Sequence, residues 1–128
     1  MTQDEVLHSW KEGAEKNLTI GKEMIASGHF DWALFFGQLS LEKLLKGLVT
    51  KKTNEAPPFI HDLGKLAAVA GVPLTAEQTN DFAEITTFHI AARYDDIKRE
   101  LYLKATAEYA KLYFSKIEEY ASWLIKQY

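Results

Sequence analysis

Residues 31–53 constrain this chain more than any other segment. Trp32, Ala33, Leu34, Phe35, Phe36, Leu39, Leu41, Leu44, Leu45, Leu48 and Val49 leave it apolar on nearly every side. A helix of this pattern must be covered on more than one side. It predicts a central helix from about Asp31 to Thr53, with the other elements packed around it and a share in a subunit interface. One polar stripe interrupts the apolar surface. Gln38, Glu42 and Lys46 lie four residues apart and share one side of a helix over about two turns, roughly 12 Å. A carboxylate turned toward a bundle interior needs a cation beside it, so this stripe is the first place to look for a site. Lys43 is one step off the stripe and is predicted to point nearer solvent.

The remaining segments are also helical. From about Asp4 to Ser27, Val6, Leu7, Trp10, Ala14, Leu18, Met24 and Ile25 recur at intervals of three and four, one face of a helix, and Gly28 can end it. Pro57, Pro58 and Pro73 all fall between 57 and 73, which makes this window the main non-helical region. Within it His61 to Ala70 predicts a short helix ending near Gly71. Thr75-Ala-Glu-Gln78 has the pattern of a capping box and opens a fourth helix through about Ala91, with Phe82, Ile85 and Phe88 inward. A polar stretch, Arg93 to Glu100, precedes a last helix from about Lys104 to Lys126. That helix is predicted to bury Ala105, Tyr109, Leu112, Ile117, Tyr120 and Leu124. The fold class is therefore all-α: an up-and-down bundle of four long helices plus one short helix, in a single domain spanning residues 1–128.

Composition removes several function classes. The chain has no cysteine, so it has neither disulfides nor thiolate metal sites. Its net charge is −3, which gives no global attraction to nucleic acid; such binding would need a local basic patch. The start, Met1-Thr-Gln-Asp-Glu, lacks the basic-then-apolar pattern of a signal peptide. The apolar runs are far short of a membrane span. A cytoplasmic protein without membrane contact is expected.

Three blocks resemble the HEPN family. The first is Trp32-Ala-Leu-Phe-Phe-Gly-Gln38-Leu-Ser-Leu-Glu42-Lys43-Leu-Leu-Lys46-Gly-Leu, similar to the family's second helix, where a Gln precedes a Glu-Lys pair and a further Lys. The second is Pro57-Pro-Phe-Ile-His61-Asp62-Leu63, similar to its His-Asp-Leu block. The third is Ala91-Ala-Arg93-Tyr94-Asp95, similar to the Ala-Arg-Tyr motif of one branch. They stand in the family's order and cover nearly the whole chain. The resemblance implies a helical bundle that usually dimerises, here a homodimer. It also implies kinship with modules that partner minimal nucleotidyltransferases in toxin–antitoxin pairs, and with proposed nucleotide binders. Other relatives are metal-independent ribonucleases in which an Arg is followed, after four to six residues, by a His. After Arg93 those positions hold Lys98, Arg99 and Glu100, and this departure argues against the enzyme.

Each candidate residue has a functional and a structural reading. The Arg93 guanidinium can grip a phosphate in two places, or it can close the bundle end as an ion pair with Glu42 or Asp95. His61 can donate to a phosphate or act as acid or base; alternatively His61 or Asp62 simply caps the next helix. Lys43, Lys46, Lys51, Lys52, Arg93, Lys98, Arg99 and Lys104 can form a basic patch or a solvated face. Most aromatics fall at core spacing; Tyr94 and Tyr102 lie in the polar stretch and are the exceptions. No metal site is expected, because His8, His29 and His89 show no ligand spacing among themselves, and no cofactor is called for. The predicted site is therefore Gln38, Glu42, Lys43, Lys46, His61, Arg93 and Tyr94. Its leading function is a non-catalytic module that binds a nucleotide or RNA, or partners a nucleotidyltransferase. The alternatives are a ribonuclease centred on Arg93, with His61 or His89 as its partner, and a purely structural interaction module.

Overall fold

The computed structural model describes the backbone of residues 1–90 and 95–128, and the side chains of all of these except 90 and 95–98. Six helices lie among the described residues: α1 (Gln3–Ala26), α2 (Phe30–Thr53), α3 (Leu63–Val69), α4 (Ala76–Ile90), α5 (Asp95–Lys104) and α6 (Ala107–Ile125). No strand occurs among them. The all-α bundle is as the sequence predicts, with one helix more than expected.

The helix ends follow local chemistry. Thr2 caps α1, its side chain accepting from the Glu5 amide. At the other end Gly28 has φ +79, the His29 amide donates back to the Met24 carbonyl at 2.8 Å and the Gly28 amide to Ile25 at 3.2 Å. This paired closure needs a left-handed residue, which glycine adopts without strain. The capping box at the start of α4 forms reciprocally. The Thr75 amide donates to Gln78 Oε1 at 2.9 Å, and the Gln78 amide donates to Thr75 Oγ1 at 3.1 Å.

α2 is the axis of the molecule. It packs most extensively on α1, then on α6, α3 and α4, and touches α5. Leu34, Leu41, Leu44 and Leu45 are wholly buried on it, in a core shared with Leu63 and Leu66 of α3, Phe82, Ile85 and Phe88 of α4, and Ile117 and Leu124 of α6. Its all-round apolarity is thus largely satisfied within one chain. α1 buries a narrow strip, Ala14, Asn17 and Gly21; it packs mainly on α2, and its Gly21 lies against Phe114 of α6. The larger residues expected on that face are partly buried, with Leu18 and Ile25 packed against the core.

Two expectations are corrected. The polar stretch after Arg93 contains α5. Leu101, 8% exposed, anchors its described part while Tyr102 and Leu103 face outward; one described anchor among polar neighbours is a weak periodicity. On α6 the buried face is Ala110, Phe114, Ile117, Ala121 and Leu124, a clean helical repeat, and Leu112 is 55% exposed. The helix starts later than Lys104 because Thr106 caps it, accepting from the Tyr109 amide at 3.2 Å. Of the expected set, Ala105, Ile117 and Leu124 are buried and Tyr109 and Tyr120 pack against the core; Leu112 alone departs from it.

Candidate functional site

The polar stripe of α2 lies inside the bundle. Gln38 is fully buried and Glu42 is 4% exposed. Gln38 Nε2 donates to Glu42 Oε1 at 3.1 Å and to the His61 carbonyl at 3.3 Å. Lys46 Nζ donates to Glu42 Oε2 at 3.1 Å. His61 Nδ1 lies 2.8 Å from Glu42 Oε1. Each of these partners is a hydrogen-bond donor or can become one. Burial opposes the charge on Glu42, but the hydrogen bonds from Gln38, His61 and Lys46, with the Lys46 charge, outweigh burial and hold its carboxyl below the ordinary value.

The segment before α3 delivers His61. Asp62 caps that helix, accepting from the Lys65 amide at 3.0 Å, and the Leu63 amide donates to Thr86 Oγ1 of α4 at 3.0 Å. The cap belongs to Asp62, while the His61 side chain turns back toward α2. That side chain is 36% exposed and carries the cluster to the surface. Behind it His89 of α4 stacks on the imidazole, with ring centroids 3.8 Å apart at 28°. Phe35 of α2 continues the column at 5.8 Å and 23°.

Of the predicted site residues, the structure brings together Gln38, Glu42, Lys46 and His61. Arg93 and Tyr94 lie outside the described residues. Lys43 does not join the cluster. Its chain runs across Gly13 of α1, where an added Cβ would meet its Cδ at 3.3 Å. The basic patch is partly neutralised, since Lys46 is paired with Glu42 at 3.1 Å and Lys104 with Glu84 at 2.8 Å. Lys51 donates to the Gln127 carbonyl, and Tyr102 is 65% exposed.

His89 is absent from the site the sequence predicts. Histidines compared by their separation along the chain show no pairing, whereas the fold sets His89 against His61. The signal was present: positions 82, 85 and 89 share the inward face of α4 at spacings of three and four, which places a histidine on an apolar face. A second polar cluster is equally invisible in the sequence. Asp81 of α4 is 8% exposed and accepts from Lys116 Nζ at 3.2 and 3.3 Å and from the Tyr120 hydroxyl at 2.6 Å, both on α6. It ties those two helices together.

No helix among the described residues is long and apolar enough to cross a membrane. The crystal structure of TT1696 from Thermus thermophilus is similar to this chain, with a TM-score of 0.79 and 20% sequence identity over 95% of this chain and 98% of that one. At that identity the likeness is one of fold. No curated protein matches. The family model of the HEPN domain matches residues 7–128. The match spans the whole Glu42 cluster and reaches from α1 to the end of α6, and the chain belongs to the HEPN domain family.

Proposed function

We propose that this protein is a non-catalytic HEPN module that binds a nucleotide or RNA where His61 brings the Glu42 cluster to the surface. The carrying observation is the cluster itself. Gln38, Glu42 and Lys46 form the one polar stripe on a helix built for burial, and direct hydrogen bonds align them with His61. Buried polar groups are costly to place there, and apolar residues of similar volume often serve stability as well. A network kept open to solvent through His61 suits recognition of a phosphate or a sugar hydroxyl. Arg93 and Tyr94, by their resemblance to the family's motif, complete this site in the proposal, Arg93 as the phosphate clamp. The same resemblance supports a homodimer and a minimal nucleotidyltransferase partner of the toxin–antitoxin type. The apolarity of α2 no longer speaks for the dimer, because α2 packs within its own chain.

The test is fluorescence anisotropy with labelled single-stranded RNA, beside thermal stabilisation by mononucleotides. Binding that falls at least tenfold in His61→Ala and in Arg93→Ala, with both variants folded, supports the module. Absence of binding to either ligand at millimolar concentration overturns it in favour of a structural role. Light scattering at micromolar concentration tests the dimer; a monomer there refutes it.

A second reading rests on one distance. A carboxylate 2.8 Å from His61 Nδ1 is the arrangement that orients an imidazole for proton transfer, which favours a metal-independent ribonuclease using Arg93 and His61. RNA cleavage by the purified protein, retained in chelator and lost in His61→Ala, would replace the non-catalytic reading.

A further inference from the structure

We propose that Glu42, His61 and His89 form a binding site for a divalent transition-metal ion of the zinc class. The three residues come from α2, the segment before α3, and α4. Each offers one ligand atom, and these atoms all lie within 4.8 Å of one another. An ion bound at about 2.0–2.2 Å by two imidazole nitrogens and a carboxylate oxygen sets its ligands roughly 3–4 Å apart, so the spacing is near what an ion needs and the ring orientations must change. Two ligands are already enclosed: Glu42 is 4% and His89 8% exposed. His61, on the surface side, opens the route in.

The donor set selects the ion. Two nitrogens and one oxygen suit zinc, cobalt or nickel, whereas magnesium and calcium favour all-oxygen sites. Three protein ligands leave a fourth position for water or an anion, the pattern of open rather than structural zinc sites. Gln38 and Lys46 are the outer partners. Gln38 holds Oε1 and Lys46 holds Oε2 of the carboxylate, fixing its orientation.

Three features weaken the site and set its affinity. The ion must replace the hydrogen shared between His61 Nδ1 and Glu42 Oε1. It must open the imidazole stack, whose centroids are 3.8 Å apart, so that both ring edges face one point. It also takes its charge beside Lys46, whose Nζ is 3.1 Å from the same carboxylate. Each lowers the affinity, and binding releases protons.

The experiment uses the full chain without a histidine tag. Zinc is titrated calorimetrically, cobalt is followed by its visible absorption, and the four imidazoles are followed by NMR. The expected result is one zinc per chain, a cobalt spectrum of four-coordinate intensity, and shifts of His61 and His89 with His8 and His29 unmoved. Glu42→Gln and His61→Ala should each lower affinity by more than the roughly 10–100-fold that loss of an outer partner costs, and His8→Ala and His29→Ala should leave it unchanged. The NMR readout uses the unaltered protein, so it stands even where a variant fails to fold. No imidazole shift at His61 and His89, or zinc binding that disappears with His8 or His29, overturns the site.

Discussion

Glu42 is the residue on which the interior turns. It carries a negative charge into the bundle and is matched there by Lys46, with His61 and Gln38 on its other oxygen. Removing it strands a lysine whose side chain is 12% exposed. Glu42→Ala should therefore cost about 3 kcal/mol, measured as a lower urea midpoint at unchanged slope; a loss under about 0.5 kcal/mol, the range of ordinary surface changes, would contradict the pairing. At this scale the sequence is a partial guide. The stripe 38, 42, 46 is legible because helical spacing places those residues together whatever surrounds them. The need for a cation is legible too, and Lys46, one turn along the same predicted stripe, meets it at 3.1 Å; Arg93, the cation the sequence favours, lies outside the described residues. His89 enters the sequence reading only as an alternative partner for Arg93, because its place beside His61 and Glu42 depends on neighbours from other elements.

Among the elements, α2 and α6 are fitted to each other at glycine. A Cβ on Gly37 would sit 2.7 Å from Ile117 Cδ1, and Ile117 is fully buried. Gly37→Ala gains about 1 kcal/mol of helix propensity, yet overpacking costs roughly 1–3 kcal/mol, so a net loss is expected. Ile117→Val removes Cδ1, and alone it should cost about 1 kcal/mol. Together the two changes should cost less than their sum, and strict additivity in denaturant melts would refute the contact. At the helix ends, Thr106→Ala should remove about 1 kcal/mol with the cap of α6. Helix identity is legible wherever periodicity is long, as in α1, α2, α4 and α6. α5 escapes because Leu101 alone holds its described part in the core, and on α6 the start and Leu112 depart from expectation while Ile117 and Leu124 lie in the core as expected. Element boundaries depend on single capping residues, and those weigh little in a periodicity.

For the molecule as a whole, stability should fall at alkaline pH. Burial first, and for Tyr120 the bond to Asp81, raise the Tyr120 and Tyr128 hydroxyls well above the ordinary phenol value of 10.0. The Asp81 hydrogen bond, against burial, raises the Lys116 ammonium above 10.5. In each case the protonated form is the one the fold favours, so the stabilisation is complete below the unfolded value and is lost as pH rises above about 10. Urea midpoints should fall from about pH 9–10 upward, and Tyr128→Phe, which removes the bond to the Leu44 carbonyl, should flatten that fall; a midpoint flat through about pH 11 would contradict it. The bundle architecture is legible at this scale because four long amphipathic or apolar helices admit few other packings. The proposed ligand binding rests on one open polar cluster, and an NMR titration of the full chain with a short single-stranded RNA and with a mononucleotide tests it most directly. The expected shifts concentrate at the amides of residues 38–46 and 61–62 and at the His61 imidazole; the absence of shifts, or shifts confined to residues away from this cluster, would contradict binding at this site.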